Sequence, residues 1–501
     1  MLMFAFLRGV PSSMTLMSVV FAAPPQGFHC ESPSGWVADD GQCDMRQIVA
    51  NHSESLNVSI AVDEVVEKCS KWSYDHSTYR GTTLVEEWDL VCGQKWMAAS
   101  SQSAYILGLV FSTMIFSHVA DWYGRKRACV ISLLCSLVTG LIMAWAPSIG
   151  VYTVARFLAA VSASGYYDAS TVLLVESVAA DRRYLVTLTA GIGWSVGLIL
   201  LPGLSYLLPN WRAQHAAIVV PLIVLLGLCF FIDESARWLL SAGRFEDAKK
   251  TLIRAIEKRP NVKCDDTKHK NLQADDIDRL IKDIRVRNST IADRGKGTVA
   301  DLFGRRYWRS TVVFCFTKMV AYMLWYHVTV SSLSVGNNPF LSFALASVCD
   351  LPNRALDALI VRVVPRRIAA TSSFAFTTAA MALYYSLANG PWGLRLACLI
   401  LCRLCTDVHG SVQRLQMAEL YPSRLRSLAA GFVYTCANVS GLLAPFIQDL
   451  GDATVSWLPS LIIVACCLLA SLATLTVKES FGKDLREDAS VKDLRTQQEC
   501  T

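Results

Sequence analysis

The sequence predicts an all-α membrane protein, with twelve transmembrane helices arranged as two parallel six-helix halves. Three observations carry this reading. Hydrophobic residues make up 53% of the 501 and charged residues only 18%, against about 25% charged in soluble globular chains. Apolar runs near 2–22, 98–117, 128–146, 151–174, 186–208, 214–232, 310–333, 339–361, 368–388, 392–413, 427–447 and 454–476 are each long enough, or nearly so, to cross a bilayer. Charged residues also recur at a near-constant offset between the two halves of the chain. Disorder is excluded, because it needs few apolar residues. Helices fill the runs because lipid offers the backbone no hydrogen-bond partner.

The connections alternate in charge. Arg125, Lys126 and Arg127 join runs 2 and 3, and Arg182 and Arg183 join runs 4 and 5. The segment 233–309 holds about 19 Lys and Arg. Arg362, Arg366 and Arg367 follow run 8, and Arg424 and Arg426 follow run 10. The 3–4, 7–8 and 11–12 connections carry essentially no basic residue. Basic loops stay in the cytosol, so both termini are expected there. The expected organisation is helix 1 in 1–23, an extracellular loop in 24–97 and helices 2–6 in 98–232. A cytosolic loop in 233–309, helices 7–12 in 310–476 and a cytosolic tail in 477–501 follow. The net charge of +6 then reports topology, and the expected macromolecular surroundings are a lipid bilayer without nucleic acid.

The first outer segment is acidic, with about 12 Asp and Glu against about 5 Lys and Arg. Its Cys30, Cys43, Cys69 and Cys92 would oxidise outside the cell into two disulfides, with three connectivities open. Asn51 and Asn57 begin glycosylation sequons. Phe21-Ala22-Ala23 resembles a signal cleavage site, but Arg8 and Pro11 interrupt the run and no basic segment precedes it. The run therefore reads as a span.

The internal echo is specific. Gly124-Arg125-Lys126 and Pro365-Arg366-Arg367 are 241 residues apart. Glu176 and Arg183 at the end of run 4 match Glu419 and Arg426 at the end of run 10, 243 residues on. Glu234-Ser235 matches Glu479-Ser480, 245 residues on. Duplication of a six-span unit is the plan of the major facilitator transporters, whose cargo sits between the halves. Asp121, Arg125 and Lys126 are expected to pair with charges on the neighbouring bundle. Together with Glu176, Arg183, Glu419 and Arg426 they would form a latch that breaks when the cytosolic side opens.

Longer motifs carry a family resemblance. Cys69-Ser70-Lys71-Trp72 through Trp88-Asp89-Leu90-Val91-Cys92 resembles the end of the outer loop of solute carrier family 22, the organic cation, anion and zwitterion transporters. Asp121-Trp122-Tyr123-Gly124-Arg125-Lys126 resembles their span 2–3 motif, and Asp233-Glu234-Ser235-Ala236-Arg237-Trp238 their motif after span 6. Ala418-Glu419-Leu420-Tyr421-Pro422-Ser423-Arg424 resembles their motif after span 10. The chain departs from the family in its four loop cysteines and in Pro365, where glycine is usual.

The resemblance implies a polyspecific organic-ion transporter of the plasma membrane, with organic anions or zwitterions favoured over cations or carnitine-type cargo. The competing reading is a transporter-like receptor or scaffold. With no Gly-rich phosphate loop there is no nucleotide partner, and no cofactor, metal or enzymatic activity is expected. Arg354 lies at the anion carriers' basic position in span 8, and Asn438 at their discriminating position in span 11. Asp350, Arg354 and Asp357 fall on one helical face, so Arg354 could instead be neutralised by its own helix. Trp325 and Tyr326 match the family's paired aromatics. Tyr322, one turn away, and Trp194 are further candidates for an aromatic wall suited to flat organic ions. Lys318, Asp168, Asp407 and Arg414 depart from the family pattern. The favoured reading of these charges is mutual pairing without a transport role; the alternative is that Lys318 pairs with an aspartate across the cavity and Asp168 carries a proton or binds a cation. His327 and His409 read as polar packing residues.

Overall fold

The computed structural model describes residues 1–31, 43–49, 63–178, 183–257, 298–336, 338–387, 390–453, 455 and 457–480. The sequons at Asn51 and Asn57 lie outside these residues. Among the described residues, six long helices build the first half, and five long helices with a sixth span divided in two build the second. The first half has α1 (Leu2–Ala22), α3 (Trp96–Tyr123), α4 (Arg125–Ala144), α5 (Ile149–Ser177), α6 (Arg183–Leu207) and α7 (Trp211–Cys229). Between α1 and α3 lie β1 (Phe28–Cys30), β2 (Asp44–Val49), β3 (Asp63–Lys68), β4 (Trp72–Tyr74) and the short α2 (Leu84–Glu87). Helices α8 (Ala236–Ser241), α9 (Phe245–Glu257) and α10 (Val299–Leu302) lead to the second half. That half holds α11 (Trp308–Ser331), α12 (Pro339–Val348), α13 (Asp350–Val363), α14 (Arg366–Ser386), α15 (Trp392–Leu420), α16 (Ser423–Ala453) and α17 (Leu458–Thr474).

Every apolar run of the sequence coincides with one of these helices, except that run 8 is divided. The cause is Pro352, in the first turn of α13. It has no N–H to give the carbonyl of Val348, and its ring crowds that carbonyl. Among the described residues, eight helices are long and apolar enough to cross a membrane unaided. Helix α15 is long but carries Arg403, Asp407 and Arg414 within its apolar stretch, and intramembrane charges usually mark function or pairing.

Helices α1 and α6 pack backbone to backbone. A Cβ on Gly193 would lie 1.9 Å from the Phe6 carbonyl oxygen, and one on Gly197 would lie 2.1 Å from Ser13 Oγ. Two glycines four residues apart let membrane helices approach this closely.

The outer segment is stapled by Cys30–Cys69 and Cys43–Cys92, which selects one of the three connectivities. Strand β1 pairs antiparallel with β4, and β2 with β3. The segment is seated on the first half. Trp211 Nε1 donates to Glu87 at 2.6 Å, Arg212 pairs with the same carboxylate, and Trp88 packs edge-on to Trp211.

The halves meet at the end that carries this segment. Phe340, at the start of α12, stacks on Phe21 of α1 at 5.4 Å. Tyr206 of α6 and Tyr79 of the outer segment lie 5.8 and 5.6 Å from the same ring. Burial pushes the Tyr79 hydroxyl up to about 12, so this plug stays uncharged at physiological pH. Further in, Ser103 of α3 donates to the Leu442 carbonyl of α16 at 2.8 Å.

Candidate functional site

At the opposite, basic end each half carries the same charged cluster. In the first half, Arg125 donates to the Ala120 carbonyl at 2.6 Å and contacts Asp121 at 2.8 Å and Glu176 at 3.8 Å. Glu176 also accepts from Ser235 Oγ. Glu234 accepts the Lys126 backbone N–H at 3.0 Å. In the second half, Arg366 donates to the Val361 carbonyl and contacts Glu419 at 3.3 Å. Glu419 accepts from Ser480 Oγ at 2.5 Å, and Glu479 accepts the backbone N–H of Arg366 and Arg367 at 3.1 and 2.9 Å. The duplicated sequence therefore builds a duplicated structure.

This arrangement differs from the expected latch. The described pairs of Asp121, Arg125, Glu176, Arg366 and Glu419 close within their own half, not across to the neighbouring bundle. The reason is local. The short link between α3 and α4 keeps Arg125 at the junction of α3, α4 and α5, within reach of Glu176. Arg183 and Arg426, seven residues beyond the glutamates, make no described ion pair, and Arg183 is exposed.

Between the two ends lies a ladder joining α13 to α15. Arg403 Nη2 donates to Asp350 Oδ2 at 2.7 Å, and its Nε is 2.7 Å from Oδ1. Asn353 donates to Asp407 at 3.3 Å, with Arg354 4.0 Å from the same carboxylate. Ser411 donates to Asp357 at 3.0 Å, and Arg414 donates to Ser411 Oγ at 2.8 Å. The rungs follow from spacing. Asp350, Arg354 and Asp357 recur at i, i+4 and i+7, and Arg403, Asp407 and Ser411 recur at i, i+4 and i+8, so each set lines one face.

Arg354 thus comes to ion-pair distance with Asp407 of another helix, while Asp350 and Asp357 of its own helix attract it at longer range. It also reaches the seam between the halves. A Cβ on Gly191 of α6 would sit 3.5 Å from its Nε. Asp350 is buried against Arg403, with 2% of its surface exposed.

The aromatic candidates divide. Tyr322 lies 6.2 Å from Trp325, and a Cβ on Gly441 would touch its ring at 2.4 Å. Trp325 is half-buried, and Tyr326 is buried in the apolar cluster that joins the halves. Trp194 lies 6.2 Å from Tyr167 of α5. Asn438 is half-buried, one turn from Tyr434 on α16.

Lys318 makes no close ion pair with an aspartate among the described residues, although Asp407 attracts it at longer range. Its ammonium lies 4.9 Å from the centre of the Tyr434 ring, with no carboxylate at ion-pair distance among the described residues. Asp168 is exposed and accepts from Ser164 at 3.0 Å. His327 meets the Tyr385 hydroxyl at 2.8 Å, and His409 packs 4.3 Å from the Phe374 ring. Arg8 was not among the sequence candidates. It is buried, donates to the Tyr167 carbonyl and Ser170 Oγ at 2.9 Å, and stacks 4.7 Å over Tyr167. An arginine inside an apolar run was its signal.

Residues 57–490 match the model of the family described as sugar (and other) transporter. The chain is 28% identical over 442 residues to the organic cation transporter protein of Drosophila melanogaster, covering 87% of this chain and 78% of that one. It is 26% identical over 494 residues to organic anion transporter 3 of Mus musculus, covering 95% and 88%. The inward open structure of the xylose transporter XylE from E. coli superposes with a TM-score of 0.66 at 14% identity, covering 97% and 96%. A second XylE structure, described as a major facilitator superfamily symporter, gives 0.60 at 15% identity over 97% and 96%. This multi-pass membrane protein, a transporter and not an enzyme, has the major facilitator fold and belongs to the sugar (and other) transporter family.

Proposed function

We propose that the chain carries small organic ions across the plasma membrane by alternating access. Both termini and α8–α9 lie in the cytosol, and the disulfide-bonded segment lies outside. One observation carries the reading. The Phe340 plug joins the halves at the outer end, whereas the described charged clusters at the other end stay within each half. Each half is therefore a unit, and cargo held between them is reached from the cytosolic side.

Organic anions or zwitterions are favoured over cations. On α11, α13 and α15 the cations Lys318, Arg354, Arg403 and Arg414 face the carboxylates of Asp350, Asp357 and Asp407, each engaged by a donor. The surplus is positive. Asp168, exposed, hydrogen-bonded to a hydroxyl and attracted by Arg8 at longer range, supports the cation reading. Uptake of radiolabelled aromatic carboxylates, quaternary amines and zwitterions in oocytes tests the choice. No uptake of any class, with surface expression shown, would favour a receptor or scaffold.

A further inference from the structure

Lys318 is the charged group that the ladder leaves over. It lies ten residues into α11, which at 1.5 Å per residue is about 15 Å deep, near the middle of a bilayer core about 30 Å thick. A bare ammonium there is costly. Tyr434 offers its ring face at 4.9 Å, which attracts the charge without cancelling it.

A second cation makes the position less favourable still. A Cβ on Gly410 would lie 3.6 Å from Lys318 Nζ and 3.8 Å from Arg414 Nη1. Two like charges therefore converge on a position where α15 has no side chain. Arg414 is exposed, is linked to Asp357 through Ser411 Oγ and attracts that carboxylate at longer range, and Tyr434 is 38% exposed. The place is open to a ligand, and its two cations have carboxylates only at longer range, Asp407 for Lys318 and Asp357 for Arg414, each already engaged by a nearer donor.

We propose that Lys318 and Arg414, above Gly410 and beside Tyr434, form the seat for a carboxylate, sulfonate or sulfate group of the cargo. The anion supplies counter-charge at contact distance, which Asp407 and Asp357 supply only at longer range, and Gly410 supplies its room. Tyr434 gives an aromatic cargo a ring to pack on. Arg354, already offset by Asp407 at 4.0 Å, contributes less to recognising the acid group. This assignment rests on the transport reading for its biological meaning, but binding can be measured without transport.

The test uses the purified full chain and three probes of one shape: benzoate, benzenesulfonate and benzylammonium. The two anions are expected to raise the melting temperature and benzylammonium is not. Lys318→Gln is expected to lower anion affinity about 10- to 100-fold, as for a lost charge-assisted hydrogen bond, and Lys318→Arg to restore most of it. Gly410→Leu, which alters no charge, is expected to block the seat. Equal anion affinity in Lys318→Gln and the parent overturns the proposal, as does a parent protein that neither anion stabilises. Uptake separates the two readings. Lysine-dependent stabilisation without uptake sinks the transport reading and keeps the seat. Anion uptake unchanged in Lys318→Gln sinks the seat and keeps transport.

Discussion

Replacing Arg403 by leucine strands the Asp350 carboxylate. Arg403 and Asp350 are each 2% exposed and meet at two points, both 2.7 Å. Among the described residues Asp350 has no second donor. Breaking such a buried pair costs about 3–5 kcal/mol. Asp350 begins α13, and the helix N-terminus returns about 0.3–1 kcal/mol to a negative charge. The expected net loss is about 2–4 kcal/mol, roughly 30- to 1,000-fold in the folded-to-unfolded ratio. The double variant Arg403→Leu with Asp350→Leu removes both charges and should recover most of the loss. The measurement is the denaturant midpoint of purified protein, with the half-life of its monodisperse chromatographic peak at fixed temperature as a check. A single variant as stable as the parent refutes the argument. So does a double variant no more stable than Arg403→Leu.

Arg125→Ala and Arg366→Ala should each lower maximal uptake per surface copy with little change in half-saturation, because both residues hold helices at the basic end, opposite the disulfide-bonded segment. Arg183→Ala, which breaks no described pair, should change neither, and uptake kinetics at matched surface levels distinguish them. Asn438→Asp should shift the uptake ratio toward cations and Asn438→Arg toward anions, since Asn438 lies one turn from Tyr434. An unchanged ratio in both variants would place the cargo elsewhere. Cys30→Ser or Cys43→Ser should remove about 4 kcal/mol of loop constraint, given closures of 39 and 49 residues, read as lost surface expression. Gly193→Leu should fail to fold, since even a Cβ there lies 1.9 Å from the Phe6 carbonyl oxygen. Normal surface levels of that variant would contradict the α1–α6 packing.

The fold was largely legible because membrane helices announce themselves one at a time. The apolar signal of run 2 ends near 117, yet α3 continues to Tyr123. Helix geometry needs no apolar side chains once the backbone leaves the lipid. The break at Cys349 had a visible cause in Pro352, although the run was read as a single span. The site was less legible, because ion pairing depends on which helices become neighbours. Asp350, Arg354 and Asp357 were rightly placed on one face, but their partners proved to be on α15. The matching spacing of Arg403, Asp407 and Ser411 was the available signal. Lys318 stands out in the sequence, but only the packing shows that Asp407, its attracting carboxylate, sits closer to Arg354.

The twin clusters reach the same bonds through unlike backbones. Gly124 has φ +105°, and a Cβ on it would lie 2.5 Å from Glu234 Oε2, so that turn admits glycine and little else. Its counterpart Pro365 has φ −54°, a value its ring imposes. Since the two copies diverged, the turn residue has been free to change while the glutamate that caps the next helix has stayed. What the duplication preserved is the carboxylate cradle. The turns are therefore not interchangeable: proline at 124 would demand the backbone angle that the Gly124 turn cannot take. A chimera exchanging these two tripeptides would fail in the first half before it failed in the second.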